Sequence, residues 1–381
     1  MIFCRIGVNC KIAYKTKFII MSKKSFLKEL ILFLVVVFTS FSDSYGQSEL
    51  FTTDTIQFKN HIDSIKLEGS LTLPKGIENP NLVILITGSG AQNRDSEILG
   101  LKPFKELSDH LSSNGVAVFR FDERGVGNSE GNFAKATSFH LSTDVEAAFN
   151  YFSEGDYQFN AIGLLGHSEG GMIAPMIAAR NPNVEFIVSL AGPGVPIVDL
   201  MVDQNAQVLR TNGMSEAGIQ IVKENLGDIF RMYASDIPME EKKDTIFTNV
   251  KRYYSLFDET DKSIIAPSAD MYHLGLGMAF NQPWFKFFIG YDPTEDWKSV
   301  QCPVLALNGT KDIQVSSTMN LPAIEKNLSE GKNEDVTIMP LEGLNHLFQK
   351  CTICDVKEYT TIDHTFEQEV LEIIQKFISR Q

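Results

Sequence analysis

Short apolar runs and amphipathic stretches alternate along most of this chain. The apolar runs contain few charged residues, which is typical of parallel strands that are buried on both faces. These runs are 82–86, 116–121, 162–165, 186–190, 304–307 and 336–339. Between them, apolar residues recur at helical spacing, as at Phe104, Leu107 and Leu111. The alternation predicts an α/β fold with a mostly parallel central sheet and helices on both faces.

The alternation is interrupted between 195 and 292. This stretch has a helical polar pattern, is rich in Met, Phe and Tyr, and ends in the aromatic run 284–288. We expect a helical insertion, a lid or cap, over the carboxyl edge of the sheet. Most of its aromatic residues should form its own core, and a few should line a pocket at that edge. The predicted organisation is a leader and signal peptide at 1–46, core at 47–194, insertion at 195–292 and core at 293–381.

The hydrophobic pattern also predicts an element at each end of the core. Apolar positions alternate between Ile62 and Leu73 and stop at Pro74, which predicts a strand or hairpin before the first buried run. From Val370 to Ile378 the apolar residues are spaced for one face of a final amphipathic helix.

The N-terminus has the pattern of a secretory signal peptide. Lys23, Lys24 and Lys28 precede the short apolar run 30–38, and small residues occur near Gly46. The run is too short to span a bilayer comfortably, so an uncleaved anchor is the weaker alternative. We expect cleavage near Gly46 and export to the periplasm or medium. Met21 is a candidate for the true start.

Charge excludes two classes of partner. The formal net charge is −14, and residues 1–46 carry seven Lys or Arg and two Asp or Glu, so the remainder carries −14 − 5 = −19. Such a surface repels nucleic acid and anionic membranes. We therefore expect no nucleic-acid partner and no membrane contact after signal cleavage. Neither composition nor charge bears on oligomeric state.

Five cysteines occur, and two of them form a Cys-x-x-Cys pair at Cys351 and Cys354. This spacing is compatible with a short disulfide in an exported protein, a redox pair or half of a metal site. No strand precedes the pair and no second Cys/His pair accompanies it. A loop staple or two free thiols is the simplest interpretation, and we predict neither a metal nor a cofactor.

The candidate nucleophile is Ser168, in the sequence GHSEG at 166–170. The pentad lies between the apolar run 162–165 and a stretch rich in Ala, Met and Ile that predicts a buried helix. A Gly-x-Ser-x-Gly turn between strand and helix holds a serine hydroxyl clear of the sheet. Strand, turn and helix are all predicted around Ser168.

A second pentad, GNSEG at 127–131, makes Ser129 a competitor. A polar gap separates Ser129 from the predicted strand before it, and no apolar helix follows it. The surrounding elements therefore favour Ser168, and we expect Ser129 to have a structural role.

Asp312 and His346 are the candidate partners of Ser168. A serine hydroxyl needs a base to take its proton and a third group to orient that base. In strand–turn–helix serine enzymes these partners come in the order Ser, Asp or Glu, His, on loops after later strands. Asp312 comes after the run 304–307, and His346 comes after the run 336–339. The alternative for Asp312 is an aspartate in a turn. The neighbouring His167 is expected to point away from the site.

Acyl transfer also requires N–H donors for the developing oxyanion. We expect one donor to be the amide of Glu169, directly after Ser168. The other should come from the loop after the run 82–86, where Ser89 is the first choice and Gly90 the next. A phosphate-binding loop is the alternative for these glycines, but neither dinucleotide nor Walker patterns are present.

These segments together resemble the α/β-hydrolase superfamily, in its serine esterase branch near the dienelactone hydrolase-like and prolyl-oligopeptidase-like proteins. The resemblance rests on the loop at 87–90, the segment DERGVGNS at 122–129, the pentad at 166–171, the Asp312 loop and LNH at 344–346. It covers roughly residues 80–381. In such families the segment at 122–129 is a structural loop, which agrees with the role expected of Ser129.

The resemblance implies a serine esterase that uses a Ser168–His346–Asp312 triad, an acyl-enzyme and no cofactor, on a small-molecule ester, and the N-terminal pattern predicts that it is exported. The alternatives on the same fold are a thioesterase or acyltransferase and a small peptidase. A ligand-binding protein on a decayed hydrolase scaffold is the alternative outside enzymes. The complete triad order argues against decay.

Overall fold

The apolar runs form strands of one sheet in the computed structural model, which describes residues 50–381. The predicted leader and signal peptide, with Met21, lie outside the described residues. The strands are β1 (Phe51–Asn60), β2 (Ile65–Pro74), β3 (Leu82–Ile86), β4 (Ala117–Phe121), β5 (Ile162–His167), β6 (Ile187–Leu190), β7 (Val304–Gly309) and β8 (Val336–Leu341). Their order in the sheet is β1-β2-β4-β3-β5-β6-β7-β8.

The sheet is mostly parallel, as predicted. Strands β3 to β8 run parallel to one another, while β1 and β2 form an antiparallel hairpin whose strand β2 pairs antiparallel with β4. Every residue of β3 is buried, because helices cover both faces of the parallel part.

The hairpin differs in detail from the prediction. Strand β2 begins at Ile65, and Ile62 lies in the turn with 73% of its surface exposed. Its partner β1 was not predicted, because the first five residues of β1 show no buried alternation. Only its second half alternates, at Ile56, Phe58 and Asn60.

Helices connect the strands and cover the sheet. They are α1 (Pro103–Ser113), α2 (Ser138–Ser153), α3 (Glu169–Ala178), α4 (Ile197–Thr211), α5 (Glu216–Ala234), α6 (Met239–Ser255), α7 (Glu259–Ile265), α8 (Ala269–Phe280), α9 (Pro283–Gly290), α10 (Thr294–Ser299), α11 (Ser317–Glu330) and α12 (Gln368–Ile378). Helices α4 to α9 lie between β6 and β7, within the stretch where the sequence loses its alternation. No helix in the described part of the chain is both long and apolar enough to cross a membrane.

Apolar side chains form separate cores on the two faces of the sheet and within the inserted helices. The aromatic residues of α5, α6 and α8, including Phe230, Tyr253 and Phe280, pack mainly against one another. A smaller cluster joins α3 and α4 to α9 and includes Met172 and Phe288. This cluster brings the end of the inserted helices close to the helix that begins directly after Ser168.

Candidate active site

Ser168 occupies a strained turn between β5 and α3. Its backbone has φ 56° and ψ −119°, and a positive φ of this kind costs a non-glycine residue about 1–3 kcal/mol. The amide of Ser168 donates to the carbonyl of Leu190 at 2.9 Å, which ties the turn to the end of β6. Strand β5 ends directly before Ser168 and helix α3 begins directly after it, as the pentad predicts.

The glycines of the pentad are required by close backbone contacts. A Cβ on Gly166 would overlap the backbone of Gly170, and a Cβ on Gly170 would overlap the carbonyl of Ile86. A Cβ on Gly171 would come within 2.7 Å of the Cα of Gly192. Larger residues would therefore push the turn away from the neighbouring strands.

Ser129 is held in a structural role, unlike Ser168. Its hydroxyl donates to the carbonyl of Asp122 at 2.7 Å and accepts from the amide of Glu68 at 3.0 Å. The side chain is buried at 6% exposure. With both hydrogen bonds made to the backbone, the hydroxyl ties the segment at 122–129 to β2.

Asp312 and His346 are adjacent and buried. The Nδ1 atom of His346 lies 2.7 Å from Oδ2 of Asp312, and the residues are 5% and 7% exposed, respectively. The other oxygen of Asp312 accepts from the amides of Gln314 and Val315 at 2.7 and 2.9 Å. These two amides fix the direction of the carboxylate, and the carboxylate in turn sets the orientation of the imidazole.

The two loops that carry this pair meet at the carboxyl edge of the sheet. The amide of Lys311 donates to the carbonyl of Leu344 at 2.9 Å, and a Cβ on Gly309 would overlap that same carbonyl. The buried side chain of Asn345 accepts from the amides of Leu347 and Gln349, which closes the His346 loop on itself. The role of Asn345 was not predicted; its position beside His346 was the only signal for it.

His167 does not point away from the site, so that prediction was wrong. Its Nε2 lies 2.8 Å from the carbonyl oxygen of His346, and the two rings are 4.7 Å apart. His167 ends β5, and the carboxyl ends of parallel strands share one edge with the His346 loop. Burial, followed by the neighbouring His346, lowers the pKa of His167 to about 3. His167 is therefore neutral and donates its Nε2 proton.

Ser168 and His346 are not directly bonded. In residues 50–381, no hydrogen bond joins the Ser168 hydroxyl to the His346 ring, and Nε2 of that ring accepts none from another described residue. Such contacts often tighten only when substrate binds. The ring nitrogen opposite Asp312 is thus available as a base.

The predicted oxyanion loop lies against the Ser168 turn. A Cβ on Gly88 would lie 3.3 Å from the Cβ of Ser168, so glycine allows the close approach. Neither the Ser89 amide nor the Glu169 amide donates to another residue in the described part of the chain. Glu169 is the first residue of α3, where backbone N–H groups lack helical partners.

Glu123 holds both ends of this loop. Its carboxyl group accepts from the Thr87 hydroxyl at 2.5 Å and from the Gln92 amide at 2.9 Å. Burial raises the pKa of Glu123 well above its ordinary value. No sequence pattern indicated this role, because Glu123 lies more than thirty positions along the chain from both partners.

Cys351 and Cys354 form a disulfide in the loop after His346. The carboxylate of Glu358 lies close to both sulfurs but accepts from the amides of Thr352, Ile353 and Cys354. The two sulfurs are bonded to each other, and the Glu358 carboxylate accepts hydrogen bonds from the backbone of the loop. The group is therefore a staple rather than a metal site in this state.

The chain is similar to known hydrolases over most of its described length. The family Hydrolase_4, described as serine aminopeptidase S33, matches residues 101–237. Esterase EstD of Thermotoga maritima is 26% identical over 281 residues, which is 74% of this chain and 58% of EstD. This chain thus spans less than two thirds of EstD. The esterase Pf2001 of Pyrococcus furiosus has the same fold, with a TM-score of 0.52 and 15% identity over 89% of this chain and 94% of Pf2001.

Proposed function

We propose that this chain, which is similar to α/β-hydrolase esterases, is a serine hydrolase that cleaves small-molecule carboxylic esters through Ser168, His346 and Asp312. The observation that carries the proposal is the strained Ser168 turn at the same sheet edge as the His346–Asp312 pair. The name of EstD supports an ester as the bond that is cleaved.

The proposed reaction begins at the Ser168 hydroxyl. Nε2 of His346 takes its proton as the oxygen attacks the ester carbonyl carbon. Asp312 stabilises the imidazolium that forms. The amides of Ser89 and Glu169 donate to the oxyanion.

The tetrahedral intermediate then collapses, and the alcohol leaves with the proton from His346. Water, deprotonated by His346, attacks the acyl-enzyme in the same way and releases the acid. The second half-reaction returns Ser168 and His346 to their starting protonation states, and all steps use only groups of this chain, the ester and water.

Hydrolysis of a peptide amide is the second candidate. The description of the matched family as a serine aminopeptidase favours it, and the same triad would serve. An amide differs from an ester in its leaving group, so the two functions are separable by substrate alone. Thioester cleavage, acyl transfer and a ligand-binding role would use the same fold.

Export is part of the proposal. The basic residues and apolar run before Gly46 support a secretory signal. The Cys351–Cys354 disulfide also supports an oxidising compartment, since such bonds rarely persist in the cytosol.

The test is steady-state hydrolysis of p-nitrophenyl esters beside aminoacyl p-nitroanilides, with wild type and Ser168→Ala. We expect ester turnover that falls by about 10⁴-fold or more in Ser168→Ala, because the variant lacks the attacking oxygen. Circular dichroism should show the variant folded. Near-normal ester turnover in Ser168→Ala would overturn the mechanism. Faster cleavage of anilides than of esters would favour the peptidase.

A further inference from the structure

The side chain of Glu169 has contacts that its role as a backbone donor does not explain. Its carboxyl group is buried, and Oε1 accepts from the Ser138 hydroxyl at 2.6 Å and from Nε1 of Trp284 at 2.8 Å. Trp284 lies in α9, the last of the inserted helices. The residue after the nucleophile is thus bonded directly to the end of the insertion.

Trp284 is part of an apolar surface that reaches both catalytic loops. Its ring stacks on Phe288 with centroids 5.1 Å apart. Phe288 belongs to the same buried cluster as Met172 of α3 and Val315, whose amide donates to Asp312. Helix α9 is therefore bonded to the start of α3 through Trp284 and Glu169, and it shares an apolar cluster with the loop that carries Asp312.

We propose that the Glu169–Trp284 hydrogen bond is a specificity-determining contact, which fixes the Trp284 ring as the wall that limits the enzyme to short, uncharged acyl groups. This inference rests on the proposed esterase activity and adds its substrate class.

The packing around Trp284 accounts for the proposed limit on the length of the acyl chain. Met172 is fully buried and Phe288 is 6% exposed, so the space behind the ring is already filled. A longer acyl chain needs that space, and closely packed interiors do not yield it without displacement of side chains. The hydrogen bond opposes such displacement, because breaking it leaves the buried Glu169 oxygen with one donor fewer.

The charge around Glu169 explains the preference for uncharged groups. Its two hydrogen-bond donors, Ser138 and Trp284, are neutral, its Oε2 is buried without a hydrogen-bond partner in the described residues, and no Lys or Arg of that part of the chain pairs with it. Burial raises the pKa of Glu169, which shows how little the surroundings stabilise a negative charge. An acyl group that carries its own carboxylate would place a negative charge beside this buried carboxyl, where no cation stabilises it.

The primary test compares Trp284→Phe with Trp297→Phe. Both changes replace an indole that donates a hydrogen bond, but Trp297 donates to the carbonyl of Pro193 in the main core. We measure kcat/KM for p-nitrophenyl octanoate and acetate. Trp284→Phe should raise the octanoate-to-acetate ratio by about tenfold or more, since each methylene gained in an apolar pocket is worth at least that. Trp297→Phe should leave the ratio within about twofold of wild type.

Substitutions of Glu169 test the hydrogen bond separately from ring size. Glu169→Gln keeps a carbonyl that can accept from Trp284, so the ratio should stay near that of wild type. Glu169→Leu removes the acceptor at similar volume and should raise the ratio in the same direction as Trp284→Phe. Combining Glu169→Leu with Trp284→Phe should raise it by less than the product of the single effects.

Labelling of each variant by a fluorophosphonate separates this inference from the proposed function. Wild-type protein that is neither labelled nor active on any ester contradicts the esterase, and the acyl preference with it. Labelled, active Trp284→Phe and Glu169→Leu with unchanged ratios overturn the specificity contact and leave the esterase standing. A ratio that rises equally in Trp297→Phe also overturns it, because general loosening would then be the cause.

Discussion

At the scale of single residues, Ser168 shows why the pentad needs its context. Ser168 and Ser129 both lie in Gly-x-Ser-x-Gly, yet one holds a strained turn with positive φ and the other bonds two backbone groups. The difference comes from the residues after each serine. An apolar helix can begin directly after Ser168, whereas the glycines on either side of Ser129 lie in a loop.

His167 gives a prediction at the same scale. Its pKa of about 3 means that the ring is neutral throughout the ordinary working range. In an NMR titration from about pH 5 to 9, its ring resonances should not move with a midpoint. His364 is an internal control, because Glu367 and then Asp363 raise its pKa above the usual 6.5.

A His167 midpoint near the ordinary value of 6.5 would contradict the burial of this ring against His346. Assignment is direct, because His167→Gln removes one set of resonances and leaves that of His364.

At the scale of elements, the candidate site is built from loops that follow separate strands of the sheet. The proposed oxyanion loop comes after β3, the Ser168 turn after β5, and the Asp312 and His346 loops after β7 and β8. Glu123, just after β4, closes the oxyanion loop through Thr87 and Gln92. Each loop is short and held at fixed points, which suits donors that must be in place before the reaction.

Glu123→Gln tests this clamp through the pH dependence of stability. Below about pH 4.5, the ordinary pKa, both folded and unfolded wild type keep the proton on Glu123. As pH rises, the unfolded state ionises first because burial raises the folded pKa, so wild type loses stability until the pH passes the folded pKa. Gln cannot ionise and can still bond both partners.

Urea unfolding at several pH values is the measurement. Relative to wild type, Glu123→Gln should gain stability as the pH rises above about 4.5. The exposed Glu78→Gln is the control and should track wild type. A difference between Glu123→Gln and wild type that does not change with pH would refute a buried, proton-linked clamp.

The strands and helices could be predicted from the sequence better than the contacts between their side chains. The runs at 82–86 and 162–165 were identifiable because strands buried on both faces need continuous apolar residues. The partners Asp312 and His346 could be predicted because chain order and strand ends place them at one edge. The Glu169–Trp284 hydrogen bond could not be predicted, since it joins residues 115 positions apart and an acidic residue in a first helical turn usually faces solvent.

At the scale of the whole molecule, the chain after His346 is held both by a disulfide and by buried residues such as Phe348 and Tyr359. The disulfide closes a short ring, and the hydroxyl of nearby Tyr359 accepts from Gln314 at 2.8 Å, beside Asp312. The staple thus lies close to the loop that orients the base. Its effect should appear both in global stability and in the His346–Asp312 pair.

Cys351→Ser combined with Cys354→Ser should lower the free energy of unfolding by about 2 kcal/mol, the value expected for so short a loop. Urea unfolding with and without dithiothreitol is the measurement. Reductant should lower the stability of wild type to that of the double variant and leave the double variant unchanged. Wild type that is insensitive to reductant would show that the pair is not bonded in solution.

The most direct test of the central claim is to map the residue that reacts with a fluorophosphonate. Peptide mass spectrometry should find the adduct on Ser168 in wild type, no adduct in Ser168→Ala, and an adduct on Ser168 in folded Ser129→Ala. Labelling at Ser129, or folded wild type that remains unlabelled, would contradict Ser168 as the nucleophile.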